Sequence, residues 1–223
     1  IRILYSPLEA VKIAQENPDR EVVFFAVGFE TTAPANALSV VHAQRLGLDN
    51  YAILASHVLV PPAIEALLSD EECLVEGFLA AGHVCTIMGL EEYFPLVDRF
   101  GVPIVVTGFE PVDILQGILM VVQQLERGEA KLENQYARMV REGGNPKARE
   151  TIYEVFDITD RMWRGMDVIP QSGYGVCQAY QKFDAQRKFS VDIPEAPENA
   201  SCIAGDIMKG LKKPFHCPNF GTH

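Results

Sequence analysis

The chain has 223 residues, 48% hydrophobic and 22% charged, the proportions of a folded domain that buries a core. Its formal charge of −11 argues against nucleic acid, and no apolar run reaches the roughly 18–20 residues that span a bilayer. Five cysteines, an odd number, suit a reducing, cytoplasmic setting better than a disulfide framework.

In chain order, Ile1-Arg2-Ile3-Leu4-Tyr5 reads as a strand, with neither a charged n-region nor an initiator Met, so the chain is expected to begin in mid-fold. From Glu21 to Gly128 two patterns alternate. Apolar, β-branched or aromatic runs at Val22–Val27, Tyr51–Ala55, Val75–Leu79 and Ile104–Thr107 predict strands. Helical spacing between and after them predicts helices over Ala35–Leu46, Pro62–Leu68, Leu90–Arg99 and Val112–Arg127. Four strand–turn–helix units predict one parallel, Rossmann-like α/β sheet covered on both faces, with its strand C-termini on one edge.

A short internal repeat marks that edge. Gly28-Phe29-Glu30 follows the first strand and Gly108-Phe109-Glu110 the fourth; Ser56-His57 follows the second and Gly82-His83 the third. Ligands of open α/β sheets bind outside the carboxyl ends of strands, so Glu30, Thr31, His57, His83 and Glu110 form a candidate ligand or partner edge. The competing reading makes them turn-stabilising groups. Thr31 or Thr32 can N-cap the helix entered through Pro34, and Pro61-Pro62 and Pro111 open the next helices. Gly28 and Gly108 could bring backbone close to an anion, but neither stretch has dinucleotide-binding or P-loop spacing. Cys73 and Cys85 read as small buried or half-buried side chains.

Beyond Glu129 the texture changes. Gly143-Gly144-Asn145-Pro146 marks a turn, Lys147–Phe156 a helix, Ile169-Pro170-Gln171-Ser172-Gly173 a turn-rich stretch, and Val191–Asn199 an acidic connector. The expected organisation has residues 1–20 as part of a first α/β body, 21–128 as the parallel α/β domain, and 129–199 as a helical and turn-rich return to the first body. Residues 200–223 form a C-terminal segment of iron–sulfur type. There Cys202 and Cys217, with Gly205, Gly210 and Gly221 around them, suggest a chain folded about something small. Thiolates suit zinc or an iron–sulfur cluster, and His216 or His223 could complete a zinc set; two ordinary thiols is the alternative.

Read together, these motifs resemble the HypD family of hydrogenase maturation factors. The resemblance rests on Gly28-Phe29-Glu30-Thr31-Thr32-Ala33-Pro34, Ser56-His57-Val58-Leu59-Val60-Pro61-Pro62-Ala63, Gly82-His83-Val84 and Gly108-Phe109-Glu110-Pro111-Val112-Asp113-Ile114-Leu115. It continues, in order, through Asn134-Gln135-Tyr136-Ala137-Arg138, Trp163-Arg164-Gly165, Ile169-Pro170-Gln171-Ser172-Gly173, Lys182-Phe183-Asp184-Ala185 and the Cys202–Gly221 tail. Ala81 stands where the family usually has Pro, and Cys85 where Ser is usual.

The resemblance implies a scaffold on which the iron centre of [NiFe]-hydrogenase, carrying cyanide and carbon monoxide, is assembled. A small HypC-like chaperone and a HypE-like cyanide donor are the implied partners. A [4Fe-4S] cluster is the implied cofactor, with Cys202 and Cys217 matching the first two of its four cysteine ligands. The other two are expected beyond His223, and the family's N-terminal Cys-Gly-x-His and Cys-x-x-Cys motifs are absent from these residues, so this chain alone is expected to be incomplete. His57 and His83 are the expected hydrogen-bond donors to cyanide nitrogen, with Glu30 and Glu110 orienting backbone. An α/β small-molecule enzyme using the same edge and a zinc-stabilised interaction module are the alternatives.

Overall fold

A computed structural model describes residues 1–190 and 201–221; the connector Val191–Asn199 and His223 lie outside them. The elements run α1 (Pro7–Glu16), β1 (Val22–Gly28), α2 (Ala33–Arg45), β2 (Tyr51–Val58), α3 (Val60–Leu68), β3 (Phe78–Ala81) and α4 (Gly82–Met88). They continue α5 (Phe94–Phe100), β4 (Ile104–Thr107), α6 (Pro111–Arg127), β5 (Leu132–Asn134), α7 (Pro146–Val155), β6 (Phe156–Trp163) and β7 (Asp167–Val176). A 3-10 turn (Gln178–Phe183), α8 (Ala185–Lys188), α9 (Ala204–Met208) and a last 3-10 turn (Pro214–His216) complete the described chain. Ile1–Tyr5, expected as a strand, takes no regular structure.

The expected α/β class holds, and the pairs β1–β2, β3–β4 and β4–β5 are all parallel. They build two sheets rather than one. One has the order β1-β2-β7-β6, the other β3-β4-β5. An apolar run makes a segment extended and buried without naming its neighbour. Here β2 takes a second neighbour from far along the chain, β7, which pairs antiparallel with His57 opposite Tyr174 and Val58 opposite Gly173. The stretch Ile169–Gly173, expected as turns, is thus strand. Its irregularity is confined to Gln171, at φ 52, whose N–H is held by Asp160 Oδ1 at 2.9 Å.

Local sequence explains the boundaries. Ser6 N-caps α1, its hydroxyl accepting from Leu8 N, and the Asn50 amide donates to carbonyls at the far end of that helix. The helix expected over Leu90–Arg99 is shorter, α5 alone, and α4 before it is a helix the sequence reading did not place. Gly89, at φ 87, stops α4, and Pro95 opens α5. Asp184 N-caps α8 by accepting from Gln186 N, which gives the Lys182-Phe183-Asp184-Ala185 motif its structural role.

The described residues fall into two compact units. The first holds Ile1–Leu59, Pro146–Asp160 and residues 171–190; the second holds Val60–Asn145, Arg161–Pro170 and residues 201–221. The core of the first gathers Val11, Val40, Tyr51, Ile53, Ile152, Phe156, Tyr174 and Phe183. That of the second gathers Cys85, Tyr93, Leu96, Ile104, Val106 and Tyr136 around β3 and β4. Strands β2 and β4 are buried as expected, but β1 is not covered on both faces: Val23, Phe25 and Val27 stand exposed. β1 ends its sheet, so an apolar strand that reads as central occupies an outer position. Among the described residues, no helix is long and apolar enough to cross a membrane.

Candidate functional site

In the second unit, β3 and β4 end side by side, Ala81 opposite Thr107, so Gly82-His83 and Gly108-Phe109-Glu110 leave adjacent strand ends. Both glycines are bare for a packing reason. A Cβ on Gly82 would lie 2.3 Å from Thr107 O and 2.6 Å from Tyr136 Cδ1; one on Gly108 would lie 2.1 Å from Asp113 Oδ2 and 2.8 Å from Tyr136 Cε2. The space considered for an anion at Gly108 is therefore filled by the protein's own side chains. At Gly28, where φ is +149, Thr32 Oγ1 fills it in the same way, 2.4 Å from a built Cβ.

His83 is exposed and stands edge-on to two aromatic rings, Phe109 at 4.4 Å and Tyr136 at 5.8 Å between centroids. Tyr136 is brought there by β5: the N–H groups of Gln135 and Tyr136 both donate to Val106 O. Over its ring, 4.5 Å away, sits the Arg138 guanidinium. Arg138 is held in turn by Asp113 through both carboxylate oxygens, Nη1 donating to Oδ1 at 2.8 Å, with Glu110 Oε2 at 3.3 Å from Nη2. Gln135 Nε2 also donates to Asp113 Oδ1, at 2.8 Å. The Arg138 hydrogen bonds, aided by those of its other neighbours, hold the Asp113 carboxyl well below the usual carboxylate range and raise the guanidinium pKa further.

In the first unit Glu30 and His57 are buried, at 1% and 0% relative exposure, while Thr31 is exposed. Asn36 Nδ2, an amide nitrogen that only donates, lies 2.7 Å from His57 Nε2. Phe156 and Tyr174 flank the imidazole, at 5.6 and 6.3 Å. Thr32 occupies the N-cap position of α2, yet its hydroxyl donates back to Phe29 O rather than capping the helix. The five edge residues are thus divided: Glu30, Thr31 and His57 stand at or just past strand ends in the first unit, His83 and Glu110 just past strand ends in the second.

The cysteine-bearing tail belongs to the second unit. Cys202 is exposed and Cys217 half-buried. Asn219 Nδ2 donates to Ser201 Oγ at 2.9 Å, tying the chain beside Cys217 to the chain beside Cys202. Lys209 fastens the segment, its carbonyl accepting from Leu74 N and its ammonium pairing with Asp70 at 2.6 Å. His216 is exposed, its Nδ1 accepting from Lys213 N at 3.3 Å. Cys85 is a buried core thiol as expected, and Cys73 is half-buried. Among the described residues no three metal-binding side chains converge.

The residues that sequence reading passed over are Asn36, Asp113 and Arg138. Arg138 and Asp113 stand within motifs noted above, but nothing in a linear motif says that residues 25 apart close an ion pair.

Fold and site together define an α/β scaffold that offers an imidazole at open strand ends and thiols on a short tail. The family model HypD, described as "Hydrogenase formation hypA family", matches residues 1–223. The chain is 44% identical to the hydrogenase maturation factor HypD of Azotobacter vinelandii, 42% to that of Rhodobacter capsulatus and 39% to that of Cupriavidus necator. These matches take in 99 to 100% of this chain and 60% of each relative. The chain belongs to the HypD family.

Proposed function

We propose that this chain is part of a cytoplasmic maturation scaffold on which the iron centre of a [NiFe]-hydrogenase, with its cyanide and carbon monoxide ligands, is assembled. A HypC-like small chaperone and a HypE-like cyanide donor are its partners. The observation that carries this reading is the family match over residues 1–223, reached by motifs that occur in order along the chain.

The iron centre is cargo. His83, exposed at the strand ends, is the imidazole placed to meet it and to donate a hydrogen bond to a cyanide nitrogen. Glu110, paired with Arg138, orients the turn before α6 rather than touching an anionic centre. His57 lies inside the first unit, so its part is to fix the end of β2 through Asn36. Glu30 and Thr31 belong to the turn between β1 and α2.

Cys202 and Cys217 are of the kind that hold an iron–sulfur cluster, and they supply two of the four thiolates a [4Fe-4S] cluster takes. The cluster would supply electrons to the assembly. The tail's own part is to present the two thiols on one tied loop.

The protein taken to the full length of its relatives and purified without oxygen should carry about four irons with acid-labile sulfide. Cys202→Ala or Cys217→Ala should remove them. Zinc in place of iron, or a cluster that survives both substitutions, overturns the ligand assignment.

A further inference from the structure

We infer that Tyr136, clamped by the Arg138–Asp113 pair, is a positioning residue for His83; this rests on the reading above that His83 faces the cargo. The Asn134-Gln135-Tyr136-Ala137-Arg138 motif lies outside every role assigned so far. Its ring bridges the two strand ends: Cδ1 and Cε2 are opposite corners of the ring, and they abut Gly82 and Gly108 respectively. Gly82 directly precedes His83. A side chain at either glycine would have to displace the ring, so ring and backbone fix one another.

The ring itself is fixed from above. Arg138 lies over it at 4.5 Å, and Arg138 cannot swing away without breaking its two bonds to Asp113. Asp113 sits in the first turn of α6 and is further held by Gln135. The line therefore runs from helix to carboxylate, guanidinium, phenol ring and imidazole. His83, edge-on to Tyr136 at 84° and to Phe109 at 78°, is thereby confined although it is exposed. Asp113 neutralises Arg138 locally, so this line delivers orientation to His83 rather than charge. An exposed imidazole that must meet a small ligand needs such confinement, because binding groups act only within about 0.5 Å of the productive position.

The experiment has two arms. In the 223-residue chain, the imidazole resonances of His83, assigned with His83→Ala, are followed by NMR in Tyr136→Phe, Tyr136→Leu and Arg138→Lys. The ring-current displacement of His83 should persist in Tyr136→Phe, which keeps the ring, and shrink toward free-histidine values in Tyr136→Leu. Arg138→Lys keeps the charge on an exposed side chain, loses the two-point grip and should also lose displacement, so the test survives if Tyr136→Leu does not fold. In the full-length protein, Arg138→Lys should lower hydrogenase maturation about tenfold to a hundredfold. His83 resonances unmoved in folded Tyr136→Leu and Arg138→Lys overturn the inference, whatever maturation does. Resonances that move while His83→Ala matures hydrogenase normally uphold the positioning and overturn the reading of His83 as the cargo-facing group.

Discussion

Gly-Phe-Glu follows a strand twice in this chain, and the two copies end in opposite environments. Glu30 is buried in the first unit; Glu110 is exposed and pairs with Arg138 in the second. The histidines that accompany them divide in the same way, His57 interior and His83 at the surface. The cause is the neighbour on the far side of each strand. β2 is an inner strand, and antiparallel β7 runs past its end, with Leu59 N donating to Ser172 O at 2.8 Å beyond the last paired residues. That covers His57. β3 is an outer strand of an all-parallel sheet, so its carboxyl end stays open. A strand-end motif becomes a surface site or a core network according to what pairs beside it.

The sharpest break between the two copies should come from truncating the histidines. His57→Ala removes a fully buried ring and strands the Asn36 amide, so it should cost about 3–4 kcal/mol. His83→Ala, on the surface, should stay within about 0.5 kcal/mol. Urea melts of the two variants measure the gap, and equal costs would dissolve the contrast.

Gly82→Ala comes next, at about 2–3 kcal/mol, because its Cβ would press on the backbone oxygen of Thr107, which cannot rotate aside. Hydrogen exchange should show that loss in β3–β5 and leave β1 and β2 unchanged.

Alkali should single out the first unit. Burial pushes the Tyr51 hydroxyl up to about 12, against its bond to Ser39. The unfolded chain releases that proton first, near pH 10. The Tyr51 contribution is therefore whole below pH 10 and is lost as pH rises through 12, about 2–3 kcal/mol in all. Tyr51→Phe should flatten that arm in thermal melts taken between pH 9 and pH 12.

The smallest expected effect is the matching acid arm of the second unit. Asp113 is held low, so its contribution is present above the unfolded value near 4 and fades as pH falls through the lower folded one. Asp113→Asn should remove that slope from a fluorescence-monitored acid titration while the alkaline arm persists.

The sequence alone made the class legible. Apolar runs at Val22, Tyr51 and Ile104 are strands because their side chains suit a pleated, buried surface, and Pro34, Pro61 and Pro111 open helices because their fixed φ needs no N–H there. The ordered motifs carried the family. Tertiary structure decided which strands share a sheet, since β2 chose β7 from 115 or so residues along the chain and β1 was left at an edge. It also decided that two like motifs differ in exposure, and that Asp113, Tyr136 and Arg138 meet beneath His83. The physical reason is one of range: helix caps and strand propensity act within a few residues, whereas strand pairing and ion pairs close loops of tens of residues whose partners no local pattern names.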